Sequence, residues 1–198
     1  MEFLLDLIFP TKCQVCEMPG PPVCQACVPC GSPTWLAGFG FPVLAIAELD
    51  KALWSIFTGY KDHNLVALRP YLSSLLRDNL SELGEIKFES VMIPPRNKAN
   101  FIRRGFDPTR DIARHGFPRH YPVTGMSLGR VVLDQRSLDR QGRLTNVANS
   151  FKVPGQIRGP VLLFDDVLTT GATIRELHRA AIAAGVQVAG ACVIAERK

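Results

Sequence analysis

The period of the apolar positions changes along the chain. Phe3, Leu4, Leu7 and Ile8 recur at helical spacing and predict a short amphipathic helix docked on the body. Residues 11–34 are rich in Cys, Pro and Gly and carry no period, which predicts a small knuckle with little core of its own. Residues 43–58 place Leu49, Leu53, Ile56 and Phe57 on one helical face. A second helix is predicted over 65–82, with Leu65, Leu68, Leu72, Leu75 and Leu76 as its stripe and a boundary at Pro70. "FESVMIPP" (88–95) alternates and then stops at two prolines, as a strand with a hard end does. After it come a basic loop over 96–107, a short helix over 108–115 and at least one short strand within 121–134, around "RVVLD". Residues 135–150 are polar and aperiodic and predict a second loop. "PVLLF" (160–164) is a continuous apolar run, the mark of a buried strand. Ile174, Leu177, Ala181 and Ala184 share the inner face of a helix over 172–184, stopped by Gly185, and 186–195 is the last strand. Strand, helix and strand in that order predict a right-handed crossover, a mostly parallel sheet flanked by helices and the α/β class. The knuckle and leading helix (1–38) are set apart from the α/β domain (39–198).

Composition adds little to this pattern; charge adds more. The 198 residues are 46% hydrophobic and 21% charged, as in a soluble protein with a real core. No apolar run is long enough to span a bilayer. The N-terminus carries Glu2 and Asp6 and lacks a basic leader, unlike a signal peptide, so a cytoplasmic protein without membrane insertion is expected. The net charge of +5 is concentrated: residues 96–143 hold 11 Lys/Arg against 4 Asp/Glu, or +7, which leaves −2 for the rest. Such a segment is either a solvated face or the footprint of a polyanionic partner, small-molecule phosphate or nucleic acid.

Five of the six cysteines lie within Cys13–Cys30. Cys13-x-x-Cys16 and Cys24-x-x-Cys27 form paired turns, and such turns converge thiolates on a tetrahedral zinc ion. Cys30 makes a third, overlapping pair with Cys27, so it competes for the fourth position; the preferred set is Cys13, Cys16, Cys24 and Cys27. Four thiolates leave no open position, so the expected zinc is structural. Cys192 lies in an apolar strand and reads as core. His63, His115, His120 and His178 fit no ligand spacing, and Trp35 and Trp54 read as packing anchors.

The stretch with most chemistry is "VLLFDDVLTTGAT" (161–173). A buried strand ends in two adjacent carboxylates at the carboxyl edge of the sheet, where open α/β sheets bind ligands. Thr169, Thr170, Gly171, Ala172 and Thr173 then form the turn into a helix. That turn offers backbone N–H groups, three hydroxyls and the positive end of the helix dipole to a monophosphate. Asp165 and Asp166, about a sugar's width away, suit a pair of vicinal hydroxyls, so the ligand read from the residues is a ribose 5-phosphate. A divalent cation nearby would relieve the repulsion of the pair. Helix capping alone needs only one Asp. A P-loop partner, G-x-x-x-x-G-K-[ST], is absent from the chain, and no His or further acidic cluster nearby supports a bare metal site.

This stretch resembles the phosphoribosyl pyrophosphate (PRPP) motif of type I phosphoribosyltransferases. With the cysteine pairs, "GYKDHN" (59–64), "RRGFD" (103–107) and "QRSLDRQGRLTNVANSF" (135–151), the chain resembles the ComF family of competence-related proteins within that superfamily. The resemblance implies a type I phosphoribosyltransferase-like fold in which Asp165 and Asp166 hold the ribose hydroxyls. Residues Thr169 to Thr173 would cradle the 5′-phosphate. The loop after strand 88–93 would meet the pyrophosphate, with Arg103 and Arg104 as contacts and Lys61 and Arg143 adding charge. Asp165, Asp166, Arg103 and Arg104 are thus the candidate catalytic residues. Magnesium would accompany PRPP, and the reaction would be substitution at the sugar C1 by a nitrogen nucleophile. The resemblance equally implies a PRPP-binding protein without turnover, or a factor that binds single-stranded DNA in DNA uptake beside other competence proteins. Three stretches depart from the family pattern: Asp107-Pro108 stands where Asn-Gln is usual, Ile93-Pro94-Pro95 replaces Pro-Val-Pro, and Thr169 stands where some phosphoribosyltransferases carry an acid.

Overall fold

Two long apolar runs form the centre of a six-stranded sheet. The computed structural model describes residues 12–129, 149–157 and 159–198. The strands are β1 (Thr34–Trp35), β2 (Val43–Glu48), β3 (Ser90–Ile93), β4 (Val123–Gly125), β5 (Ser127–Leu128), β6 (Phe151–Lys152), β7 (Val161–Leu168) and β8 (Val188–Glu196). The helices are α1 (Lys51–Asp62), α2 (Arg69–Asp78), α3 (Lys98–Arg104), α4 (Pro108–Gly116) and α5 (Ala172–Ala183). The main sheet has the order β1-β2-β8-β7-β3-β4, and β5 pairs with β6 apart from it. Every pairing in the main sheet is parallel except β1 with β2. The class is α/β with a mostly parallel sheet flanked by helices, as the pattern predicts.

A parallel sheet is covered on both faces, which is why its central strands read as unbroken apolar runs. On one face Leu162 and Phe164 of β7 pack with Leu53 and Ile56 of α1, Leu72 and Leu76 of α2, and Ile112 of α4. On the other, Val161 and Leu163 pack with Ile174, Leu177 and Ala181 of α5. Cys192 is buried in β8, as expected of a core thiol.

Several elements differ from the sequence expectation. Residues 43–58 are not one helix. Val43–Ala47 is an apolar run buried on both faces, so it takes the place beside β8 as β2. Asp50 then caps α1, accepting a bond from the Leu53 N–H at 2.7 Å. The expected basic loop 96–107 contains α3, because the Asn97 side chain accepts from Asn100 N–H and starts a turn that Gly105 ends in the left-handed region. The strand expected over 160–164 runs on to Leu168, since β8 continues beside it: Val167 lies opposite Ala195 and Leu168 opposite Glu196. The two carboxylates therefore sit inside the ladder rather than beyond its end. Trp35 and Trp54 are about half exposed (49% and 52%), so neither is a buried anchor.

Other expectations match. β3 stops at Ile93, before the two prolines, and α4 fills 108–116. Pro70 lies in the first turn of α2, the one helical place where its missing N–H costs nothing. The expected N-terminal helix, the "RVVLD" strand, Arg143 and the loop over 135–148 lie outside the described residues. Among the described residues no helix is long and apolar enough to cross a membrane.

Candidate functional site

Three elements converge at the carboxyl ends of β3 and β7. Successive side chains of a strand point to opposite faces, and this divides the carboxylate pair. Asp166 faces α1 and α4. Its Oδ1 lies 2.7 Å from Lys61 Nζ, and its Oδ2 accepts a bond from the Thr109 hydroxyl at 2.7 Å. Asp165 faces the threonine turn, and its Oδ1 accepts the Asp166 backbone N–H at 2.9 Å. Both carboxylates are buried. Their acidities part accordingly. Burial, and then the charge of Asp166, push Asp165 well above the usual carboxylate range. Burial also opposes ionisation of Asp166, but Lys61 and Thr109 outweigh it and hold Asp166 below that range.

Each carboxylate opens on its own hollow. The larger, about 190 Å³, lies between Asp166, the chain leaving β3, and helices α1, α3 and α4. Its cations are Lys61, Arg96 and Arg104, and Asn97 and Thr109 add polar atoms. The smaller, about 20 Å³, is bounded by Asp165 and residues 167–174. There Gly171 sits at the N-cap of α5 with φ 74°, and Thr170 Oγ1 accepts the Ala172 N–H at 3.3 Å. No acidic side chain occupies the first turn of α5, and its N–H groups and positive dipole end face a hollow whose one carboxyl group is that of Asp165. Phe39 closes in behind Gly171: a Cβ there would lie 2.9 Å from its ring. Arg175 stacks on that ring at 4.1 Å and donates to the Gly38 carbonyl at 3.1 Å.

The last turn of α1 ties these parts together through three consecutive residues. The Tyr60 hydroxyl donates to Asp111 Oδ2 of α4 at 2.6 Å. Lys61 meets Asp166 of β7. Asp62 meets Arg104 at 3.1 Å and Arg103 at 3.6 Å, both from α3. The expected site residues are thus divided. Asp165 and the turn Thr169, Thr170, Gly171, Ala172 and Thr173 share one hollow. Asp166, Lys61 and Arg104 share the other, while Arg103, nearly half exposed, is not among its lining residues. The sequence reading names neither Thr109 nor Arg96. Thr109 is brought to the site only by the packing of α4 against β7, and no local pattern marks it.

Hard oxygen donors of this kind suit magnesium, which keeps several waters and takes one or two carboxylates plus ligand phosphates. The carboxylates at hand are Asp165 in the smaller hollow and Asp166 and Asp107 in the larger.

The knuckle brings the Sγ atoms of Cys13, Cys16, Cys24 and Cys27 within 4.8 Å of one another. Tetrahedral zinc with bonds of about 2.3 Å needs sulfur atoms about 3.8 Å apart, and Cys16 and Cys24 already stand at 3.7 Å. The Cys24 N–H donates to Cys13 Sγ at 3.4 Å, and a bond of this kind steadies a thiolate that ligates a metal. Burial works against ionisation of Cys13, but N–H bonds of this kind hold its pKa below the usual thiol value. These four residues fit a zinc ion. Cys30 stands outside the group, its thiol turned to the Val28 carbonyl.

No family model matches the chain. Over 178 residues it is 25% identical to a protein of Streptococcus pneumoniae, "Competence protein ComFC", an alignment that covers 89% of this chain and 71% of the relative.

Proposed function

We propose that this chain, a distant relative of the ComF family, is a competence-related protein that binds PRPP at the carboxyl ends of β3 and β7. The observation that carries the reading is the carboxylate pair standing between two hollows, one bounded by a threonine turn and the other lined by Lys61, Arg96 and Arg104. Phosphoribosyl pyrophosphate has the same layout: a monophosphate, a sugar with a free diol, and a diphosphate. The turn from Thr169 to Thr173 takes the 5′-phosphate through backbone N–H groups and hydroxyls. The ribose lies against the carboxylate pair, and the diphosphate enters the basic hollow.

A transferase step would break the C1–O bond to the diphosphate and form a C1–N bond to a nitrogen nucleophile. The chain's own contribution is to fix the sugar between its two ends and to neutralise the leaving group with fixed cations. Magnesium bound with the diphosphate supplies further charge neutralisation. The cysteine knuckle has a structural part: Cys13, Cys16, Cys24 and Cys27 would hold zinc with no open position for chemistry.

Calorimetric titration with PRPP, with and without magnesium, tests the reading. The wild type is expected to bind in a saturable way and more tightly with magnesium. Asp165→Asn is expected to weaken binding by roughly tenfold or more, the worth of a charged hydrogen bond. Absence of binding by the wild type contradicts the reading. Release of diphosphate in the presence of nitrogen nucleophiles distinguishes an enzyme from a PRPP-binding protein without turnover.

The charge of +7 over residues 96–143 supports a second role, contact with single-stranded DNA. Affinity for single strands that falls steeply with salt is the expected signature, because such binding releases counterions.

A further inference from the structure

Within the proposed PRPP site, on which this inference rests, the place of the leaving group fixes the side from which a second substrate comes. We propose that the nitrogen acceptor is a planar heterocycle of the nucleobase class, received at the carboxyl end of β8 on the indole of Trp54 and beside the guanidinium of Arg197.

Substitution at a sugar C1 brings the nucleophile in on the face opposite the departing group. The nitrogen lone pair forms the new bond as the C1–O electron pair leaves with the diphosphate, and the nitrogen's proton passes to solvent water. On the proposed reading the ribose lies against the carboxylates of β7, and the diphosphate lies in the hollow beside the chain leaving β3. In the sheet β3 is one neighbour of β7, and β8 is the other. The acceptor therefore approaches over the end of β8.

Trp54 and Arg197 meet there. The end of β8 is held on both sides: the Arg197 N–H donates to the Leu168 carbonyl at 2.9 Å, and the Glu196 carbonyl accepts the Leu49 N–H at 2.8 Å. Leu168 is the last residue of β7, directly before the threonine turn, so Arg197 starts beside that turn. Its guanidinium stands over the Trp54 ring, 5.8 Å from the centroid. Trp54 precedes Lys61 on α1 by two helical turns, about 10 Å of rise, so the two share a face. That face carries Lys61 into the wall of the diphosphate hollow and presents the indole, 52% exposed, on the acceptor's side.

An exposed indole offers a stacking surface to any base, whatever its hydrogen-bonding edge. Arg175 on Phe39 and Arg96 on Phe101 close to 4.1 and 4.2 Å. The wider spacing at Trp54 lets a planar ring reach the indole once the exposed arginine stem turns aside. The guanidinium then has donors for the carbonyl oxygens and ring nitrogens of a heterocycle. Ammonia or an aliphatic amine has neither a ring to stack nor those acceptors.

The test follows Trp54 fluorescence in the full chain with Trp35→Phe, so that one indole reports. Adenine, hypoxanthine, cytosine and uracil are titrated in turn with magnesium and diphosphate present. At least one base is expected to quench Trp54 saturably. For that base, Trp54→Leu is expected to weaken binding by roughly fivefold to a hundredfold in calorimetry, and Arg197→Met by a smaller factor. Both variants are expected to keep ribose 5-phosphate affinity within about twofold of wild type. Trp54→Phe, which keeps an aromatic face, is expected to recover part of the loss. The proposal is overturned if ribose 5-phosphate binds but no base quenches Trp54 saturably. It is overturned also if Trp54→Leu weakens ribose 5-phosphate as much as the base, the mark of a merely structural role, or if ammonium or glycine releases diphosphate from PRPP and no base does. A wild type that does not bind ribose 5-phosphate removes the PRPP reading itself, and this proposal with it.

Discussion

At the scale of single residues, the two neighbouring aspartates carry opposite linkages between charge and stability. Asp165 is raised by burial and by the charge next to it. A carboxyl with a raised folded pKa stabilises most below its unfolded value, near pH 4, and that contribution is lost as pH climbs through the folded value. Asp165→Asn is therefore expected to melt higher than the wild type at pH 8 without ligand, with the gap closing toward pH 4. Thermal melts of both proteins across that range check this; a gap of one size at every pH would refute it. Asp166 runs the other way. Its depressed pKa contributes stability above about pH 4 that is lost on acidification. Gly171 carries a separate demand. Its φ of 74° and the Phe39 ring behind it leave no room for a side chain. Gly171→Ala is expected to lower unfolding stability by about 1–2 kcal/mol or more, read by urea titration; an unchanged midpoint would mean that the turn is not held as described.

At the scale of elements, α1 links the cysteine knuckle to the site. The Ser55 hydroxyl donates to the Gln14 carbonyl at 2.7 Å, and Gly59 admits the Gln14 side chain close to the helix backbone. Two residues on, Lys61 meets Asp166. A knuckle with little core of its own depends on its metal for order. Cys16→Ser is expected to lose stoichiometric zinc and to speed amide exchange in α1 around Ser55–Gly59. Metal analysis with hydrogen exchange checks both; zinc retained at one per chain, or protection unchanged after its loss, would contradict the account.

The same helix marks what the sequence could and could not disclose. Leu53, Ile56 and Phe57 announce α1 by their spacing, but Val43–Ala47 blends into it, because a short buried run has no period that separates strand from helix. Only the neighbouring strand β8 decides it. In 96–107 the basic residues suggest a solvated loop and conceal α3, whose cap is a single asparagine. At the site, "DDVLTTGAT" and the cysteine pairs were legible because each is local: a strand end with its turn, and two tight loops. The split of the pair follows from β7 running on to Leu168, which keeps Asp165 and Asp166 in the alternation of a strand, a continuation that the apolar run alone does not reveal. Thr109 and the three-way reach of Tyr60, Lys61 and Asp62 come from tertiary packing across 41 to 105 positions of chain, as the separations of Arg103 from Asp62 and of Asp166 from Lys61 illustrate.

At the scale of the whole molecule, a parallel sheet covered on both faces delivers its loops to one edge, and that edge gathers the charge. On the proposed PRPP reading, the basic hollow, the buried carboxylates and the start of α5 each answer one part of a ligand whose ends are anionic and whose middle is a diol. The most direct measurement of that claim is amide NMR during titration with ribose 5-phosphate. The account predicts saturable shifts centred on Thr170–Ile174, absent when unphosphorylated ribose is added at the same concentration. Shifts confined to other parts of the chain, or the same shifts with plain ribose, would contradict it.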